Sequence, residues 1–492
     1  MKKNKIKALV LPLFLWHPSV SPAQRLTLDN AIKIAQENSL DAQLARYTFM
    51  SSYWQYRSFK AQLLPSLNLS GGLGGFNHSV IETRDYETGR VNQVNNNTMT
   101  NSVTLSMDQQ IAATGGKVSL QSYLYRLDQF TYKETTYNSQ PLRISYTQPL
   151  RSFNSLKWEK KTAPVEYQIA ERTYVSTLQN ITIKVTGLFF NVLSAQSNYK
   201  QSLATVSDRE KLYDMAQKHL ALTTTTKSEV LQMELSLLNA RMAVTKNKIT
   251  LDDAMYDLFS FLRLTDYDGA ELVTPFIVPD IAVSADAVME KAISNSSHPL
   301  EQKLQMLEAQ RTLAQAKANR GIKMTLSSEL GLSQTGNTIG GVYSRLRDNE
   351  IIGLSLSLPV FDWGVSKGKV KMAEAQLDVM RTKVEQNNLD FMQELRKKVT
   401  QFNAQPQQCR NAQRAQEIAE ERYDITRRRY ETGTITVTDL NTAQQEMKSA
   451  KTQYISQLQA FWNDYYTLQK ATLYDWQYHQ DLTADFEKLI KE

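Results

Sequence analysis

Residues 174–199, YVSTLQNITIKVTGLFFNVLSAQSNY, place Tyr174, Leu178, Ile181, Val185, Leu188, Val192, Ala195 and Tyr199 at steps alternating between four and three residues. That period of 3.5 is one face of an α-helix that supercoils left-handedly on a partner. The seam continues through Val206, Tyr213, Ala216 and Leu220, and it recurs 210 residues later without a gap. There it reads Val384, Phe391, Leu395, Phe402, Cys409, Ala412, Ala419, Tyr423 and Tyr430, interrupted by Asn388, Lys398, Gln405 and Gln416. Landmarks off the seam match at the same offset: Pro149 with Pro359, Ala163 with Ala373, Glu229 with Asp439, Tyr256 with Tyr466. Each arm thus begins at a strand-ending proline and reaches a Thr-rich break and an acidic residue 80 positions on. A helix over most of that interval is on the order of 100 Å long at ~1.5 Å per residue. Such a length spans a compartment rather than packing a core.

The start of the chain sets the compartment. Lys2, Lys3, Lys5 and Lys7 precede the apolar run Ala8 to Trp16 and then Ser21-Pro22-Ala23, the order of a secretory signal, so residues 1–23 are read as signal peptide and Gln24 as the mature start. The run is too short to span a bilayer, and no cysteine follows it to carry a lipid. The formal charge of +7 owes four units to those lysines, so the mature chain is near neutral and offers no nucleic-acid footprint. No stretch of 18 apolar residues occurs elsewhere, which excludes a helical membrane span but not a β-barrel, whose strands need only alternate. The lone cysteine, Cys409, sits on the second seam and is read as a packed thiol.

Each arm breaks and returns, at Leu222 to Ser228 (LTTTTKS) and at Glu431 to Thr438 (ETGTITVT), so each is a helical hairpin. The returning helices are expected to end near Leu264 and His479, and shorter helices are expected over Leu28 to Leu64 and Ala285 to Arg320. Between the short and long helix of each repeat the sequence alternates: Leu142, Ile144 and Tyr146 with Arg143, Ser145 and Thr147, and Leu354, Leu356 and Leu358 with Ser355 and Ser357. Partner strands are expected around Ser66 to Phe76 and Met324 to Gly336, giving two hairpins. A third, from Ser102 to Gln110 and Val118 to Gln129 around Thr114-Gly115-Gly116, occurs only in the first repeat. Four to six strands cannot close a barrel, which takes about eight, so an oligomer is required.

The domain reading that follows is signal peptide 1–23, repeat one 24–272 with its tip near 222–229, a linker 273–284 carrying Pro275 and Pro279, repeat two 285–481 with its tip near 431–439, and a tail 482–492. The fold class is a mixed α/β membrane protein, a long α-helical coiled-coil periplasmic barrel joined to a trimeric transmembrane antiparallel β-barrel and built from two internal repeats.

RLTLDNAIKIAQENS at 25–39, AQLLPSLNLS at 61–70, LSLSLPVFDWG at 354–364 and RRRYETGTITVTDLNTA at 427–443 resemble the TolC family of outer-membrane efflux channels over nearly all of the mature chain. The resemblance implies a homotrimer in the outer membrane of a Gram-negative bacterium, in contact with its lipid. Each chain would give four strands to a 12-stranded barrel and helices to a periplasmic tunnel. The tunnel's tip would meet a periplasmic adaptor and an inner-membrane pump, and the channel would conduct small molecules or polypeptides in efflux or type I secretion. It also implies an entrance closed by Tyr430 and Asp439 of the second arm with Ser228 and Glu229 of the first. The sequence departs from the family at Ile435, where an arginine is usual, at Thr442, where a second aspartate is usual, and at Thr223, where a tip glycine is usual. The two breaks, through Thr223, Thr226, Gly433 and Thr436, are the expected adaptor-docking tips. Six carboxylates from three copies of Glu229 and Asp439 would favour cations.

An enzyme finds no support. His78, His219, His298 and His479 are scattered without metal-ligand spacing, and Gly71-Gly72-Leu73-Gly74-Gly75 lacks the lysine and helix of a phosphate loop. No cofactor, metal or nucleic acid is expected. The alternative is an exported coiled-coil structural protein or adhesin, which the arms allow but which duplicated amphipathic hairpins do not favour.

Overall fold

The computed structural model describes residues 25–222, 226–265, 270–275, 278–432 and 434–491. The signal peptide and the docking residues Thr223 and Gly433 lie outside them. In chain order the elements are β1 (Arg25–Leu26), α1 (Leu28–Asn38), α2 (Leu40–Gln62), β2 (Ser66–Arg84), β3 (Val91–Ile111), β4 (Gly116–Gln129), β5 (Glu134–Arg151), α3 (Ser155–Ala221) and α4 (Lys227–Leu262). They continue with β6 (Glu271–Leu272), α5 (Ala285–Asn295), α6 (His298–Arg320), β7 (Lys323–Gly336), β8 (Arg347–Ser357), α7 (Val365–Glu431), α8 (Val437–Thr472), β9 (Tyr474–Asp475), β10 (Gln480–Asp481) and α9 (Phe486–Lys491). The arms are equal: α3 and α7 have 67 residues each, α4 and α8 have 36 each. Pro164 and Pro406 sit inside the long helices without ending them. One lost hydrogen bond at about 3 kcal/mol is small against a seam buried over many turns. Among the described residues no helix is long and apolar enough to cross a membrane.

The chain divides into two compact units. The first holds the described residues of Met1–Gln43, Leu178–Ala282 and Gln401–Leu468. Its core follows the seam: Ile181, Val185, Val192 and Ala195 on α3 and Phe402, Cys409, Ala412 and Tyr423 on α7 are buried. Phe402 lies 5.7 Å from Phe461 of α8, ring centre to ring centre. The Cys409 thiol donates to the Gln457 carbonyl at 3.3 Å, and burial pushes its pKa up to about 11. Toward the tip of α3 the buried positions become Ser202, Arg209 and Leu212, while the expected Val206 and Tyr213 are only half-buried. β1 pairs in parallel with β6, and α1 lies against α4.

The second unit holds Leu44–Thr177, Val283–Thr400 and the described residues of Gln469–Glu492. Its centre is one antiparallel sheet of six strands in the order β2-β3-β4-β5-β7-β8. Gly115, at φ +77°, turns β3 into β4. Gly331 lets β5 and β7 approach, since a Cβ there would stand 2.9 Å from the Leu142 carbonyl oxygen. Phe49 of α2 is buried among Tyr167, Tyr174 and Phe486.

The structure departs from the sequence reading in three places. Each short helix is two: Ser39 accepts from the Ala42 amide at 3.1 Å to start α2, and Pro299 in the first turn of α6 enforces the break after Ser296. α8 stops at Thr472, not near His479, because Leu473 turns left-handed (φ +46°) and β9 then pairs with β10. The third hairpin enters the sheet. β2 therefore pairs with β3 rather than β5, and six strands replace the four implied by the family resemblance.

The raised thiol pKa leaves under about 1% thiolate at pH 8, and only thiolate attacks alkylating reagents. Cys409 of the folded protein should resist iodoacetamide at pH 8 over hours and react fully in guanidinium chloride. Rapid labelling of the folded protein, followed by mass spectrometry, would contradict the buried seam.

Candidate functional site: the tips of the helical hairpins

Both hairpins turn in the first unit, and local capping chemistry explains each turn. Thr226 is extended (φ −96°, ψ 153°), and its hydroxyl accepts from the Glu229 amide at 3.3 Å to start α4. At the other tip, the Thr434 amide and hydroxyl both donate to the Arg429 carbonyl, at 3.0 and 2.8 Å, and so satisfy the end of α7. Thr436 and Asp439 then close a reciprocal capping box. The Thr436 hydroxyl accepts from the Asp439 amide at 3.3 Å, and the Asp439 carboxylate accepts the Thr436 amide at 3.1 Å and hydroxyl at 2.7 Å. These bonds, with the Arg429 charge behind them, hold the Asp439 pKa below the usual carboxylate value.

Behind the turns, Leu212, Met233, Tyr423, Leu440, Ala443 and Met447 form a buried apolar cluster joining all four helices. Tyr430 and Val437 pack against it. Burial first, then the negative charge of Glu229, raises the Tyr430 pKa, so these two expected entrance residues share one electrostatic neighbourhood. Ser228 and Glu229 are exposed at the start of α4. Ile435 is half-buried, and the Thr442 hydroxyl turns back to the Thr438 carbonyl at 2.9 Å.

The strong polar contacts between the arms lie about one to three turns back from the helix ends, at residues that apolar periodicity passes over. Arg209 of α3 is 7% exposed, and its Nη2 donates to Asn441 Oδ1 at 2.5 Å and to Gln444 Oε1 at 2.6 Å on α8. Gln444 in turn donates to the Thr205 hydroxyl at 3.2 Å. Next to it the Tyr423 hydroxyl donates to the Asp208 carboxylate at 2.8 Å; burial and that bond push the tyrosine pKa up and keep the donor protonated. Arg209 Nη1 has no partner among the described residues, although the side chain lines a polar groove of about 310 Å³ with Ser236, Asn247 and Lys448. A buried arginine that uses part of its donor set binds its partners firmly while carrying a desolvation cost. The signal in the sequence was spacing: Ser202, Arg209 and Leu212 step by seven and three, a seam register in which the arginine does not count as apolar.

The expected entrance group and the docking group are both at the tips, as far as they are described. Among the described residues no cluster of His, Cys, Asp or Glu could hold a metal ion.

This architecture has relatives. The chain is 23% identical over 341 residues to the outer membrane protein TolC of Escherichia coli, covering 65% of this chain and 67% of that protein. Its fold matches the Campylobacter jejuni CmeC outer membrane channel with a TM-score of 0.66 at 15% identity, over 99% of this chain and 97% of that one. It matches the open state of the Neisseria gonorrhoeae MtrE outer membrane channel with a TM-score of 0.61 at 14% identity, over 98% and 99%. Residues 290–472 match the family described as outer membrane efflux protein, and the fold of such channels runs through nearly the whole length of the chain.

Proposed function

We propose that this chain is the outer-membrane channel of a tripartite efflux or type I secretion system. Three copies close a β-barrel in the outer membrane and carry small molecules or polypeptides through a periplasmic helical extension from an adaptor and an inner-membrane pump. The observation that carries this reading is the six-stranded sheet with one apolar and one polar face and two unpaired edges. Such a sheet is stable in lipid only when other strands complete it. In this reading residues 24–272 and 285–481 are the two repeats, and the breaks at Thr223 to Ser228 and Gly433 to Thr438 meet the adaptor.

The entrance is the ring of tips. Tyr430, Ser228 and Glu229 form its near contacts, and Asp439 contributes charge while it caps α8. The Arg209 and Asp208 ties behind them hold the second arm against the first in the closed state, in place of the arginine that Ile435 does not supply. The partly satisfied guanidinium makes that state releasable, because moving Arg209 toward water recovers hydration it lacks when buried.

Recording from the purified protein in planar bilayers tests the channel. Discrete conductance steps separate it from an exported scaffold or adhesin, which would give none. Cation preference should fall stepwise through Asp439→Asn, Glu229→Gln and the double mutant at low salt, where charges are least screened. The Asp439 share should persist as pH falls past about 4, because its pKa is depressed in the folded state; it is lost only when pH falls through that lowered value. Unchanged selectivity in the double mutant would show that these acids serve only as caps.

Arg209→Ala removes both donor bonds and strands Asn441 and Gln444, a loss of about 1–3 kcal/mol. The resting conductance should rise several-fold and amide exchange in the tip of α8 should quicken. Tyr423→Phe should do the same more weakly. A closed-state conductance unchanged in Arg209→Ala would remove the tie from the gate.

A further inference from the structure

The third hairpin, β3–β4, adds to both faces of the sheet in register. Leu67, Met107, Leu120, Ile144 and Leu330 stand directly opposite one another across β2, β3, β4, β5 and β7. Leu326 opposite Leu354 and Met324 opposite Leu356 carry the band onto β8. Most of these are exposed in the single chain, from 40% at Leu120 to 70% at Leu67, while Met324 and Leu326 are half-buried. On the other face Ser66, Asp108, Ser119, Ser145 and Glu329 form the matching row. Its charges are paired, Asp108 with Lys117 at 3.1 Å and Glu329 with Arg143 at 2.8 Å. A hairpin folded over a barrel mouth, or lying outside its wall, would not continue an apolar row and a polar row through the same strands.

We infer that each chain places six strands in the barrel wall, so that the trimer closes 18 strands with β8 of one copy paired to β2 of the next. The inference rests on the trimer proposed above. With strands about 4.8 Å apart and tilted about 40°, 18 strands give a backbone diameter of roughly 36 Å against roughly 24 Å for 12. The cross-section of the exit is then about double, in the range where barrels enclose an aqueous channel rather than a filled interior. The pairing of Asp108 with Lys117 and of Glu329 with Arg143 keeps this row from adding a strong charge preference to the exit. It therefore suits hydrated cargo of large cross-section, such as a flexible polypeptide or a bulky amphiphile. Size and charge are sorted at the helical tips instead.

Cryo-electron microscopy of the intact protein in lipid nanodiscs counts the strands. Eighteen strands in a trimer with a β8–β2 seam is the expected result. A trimer with 12 wall strands and β3–β4 outside the wall would overturn the inference and leave the trimer intact. An assembly of another order would instead overturn the trimer, and the strand total with it. A second measurement uses a variant lacking residues 85–133, in which a short turn joins β2 to β5. Polyethylene glycols added from the extracellular side should enter the full-length exit up to a hydrodynamic radius about 1.5-fold larger than in this variant. Equal cut-offs in the two proteins would count against a wider wall.

Discussion

In the proposed barrel a strand facing lipid has no water to satisfy its peptide groups, and the sheet of this chain has to meet that constraint. Among the described residues six strands make five ladders and leave the outer edges of β2 and β8 unpaired. The chain alone cannot close this sheet, because a six-stranded wall falls short of the smallest barrel. The repeat follows from the same limit. In the proposed channel, duplicating a unit of strands and arms would give each copy more wall and more tunnel without a longer element, and α3 and α7 have the same length to the residue.

Much of this was legible in the sequence, for a definable reason. A 3.5-residue seam and a two-residue alternation are properties of a single element, so the arms, the strands and the turn at Gly115 can be found without knowing what they touch. Pairing is different. Alternation fixes which face a strand presents but not its neighbour, and so β2 could be matched to β5 while the intervening hairpin remained unplaced. The helix breaks at Ser39 and Ser296 were hidden for another reason. Serine is compatible with both a helix and a cap, and the apolar period continues across each break. His479 lay beyond the helix end because nothing in the sequence before it announces that Leu473 turns left-handed.

The tips show where pattern reading stops. Arg209 occupies a seam position, but a seam is recognised by apolar residues, and a buried arginine is visible only once Asn441 and Gln444 are placed opposite it. The sequence departures at Ile435 and Thr442 were visible as losses. The polar tie at Arg209 was not, because it lies on another helix, about three turns before its end. A hydrogen-bonded tie needs only donors and acceptors facing across the same interface, so its location can shift while the interface persists.

In the proposed entrance, Asp439 would tie folding to conduction. Its carboxylate accepts both donors of Thr436 and so sets the first turn of α8. The same bonds depress its pKa and keep the charge that a passing ion would meet. Removing the acid therefore changes the field and loosens the helix start together, whereas changing Thr436 loosens the start first and leaves the charge in place. Behind it the apolar cluster of Leu212, Met233, Leu440 and Met447 carries the packing of all four helices, and the polar ties add direction to that packing. Because that cluster spans both hairpins, parting them would expose apolar surface as well as exchange the polar ties for water, so the cluster opposes opening and the ties set which contacts must break with it.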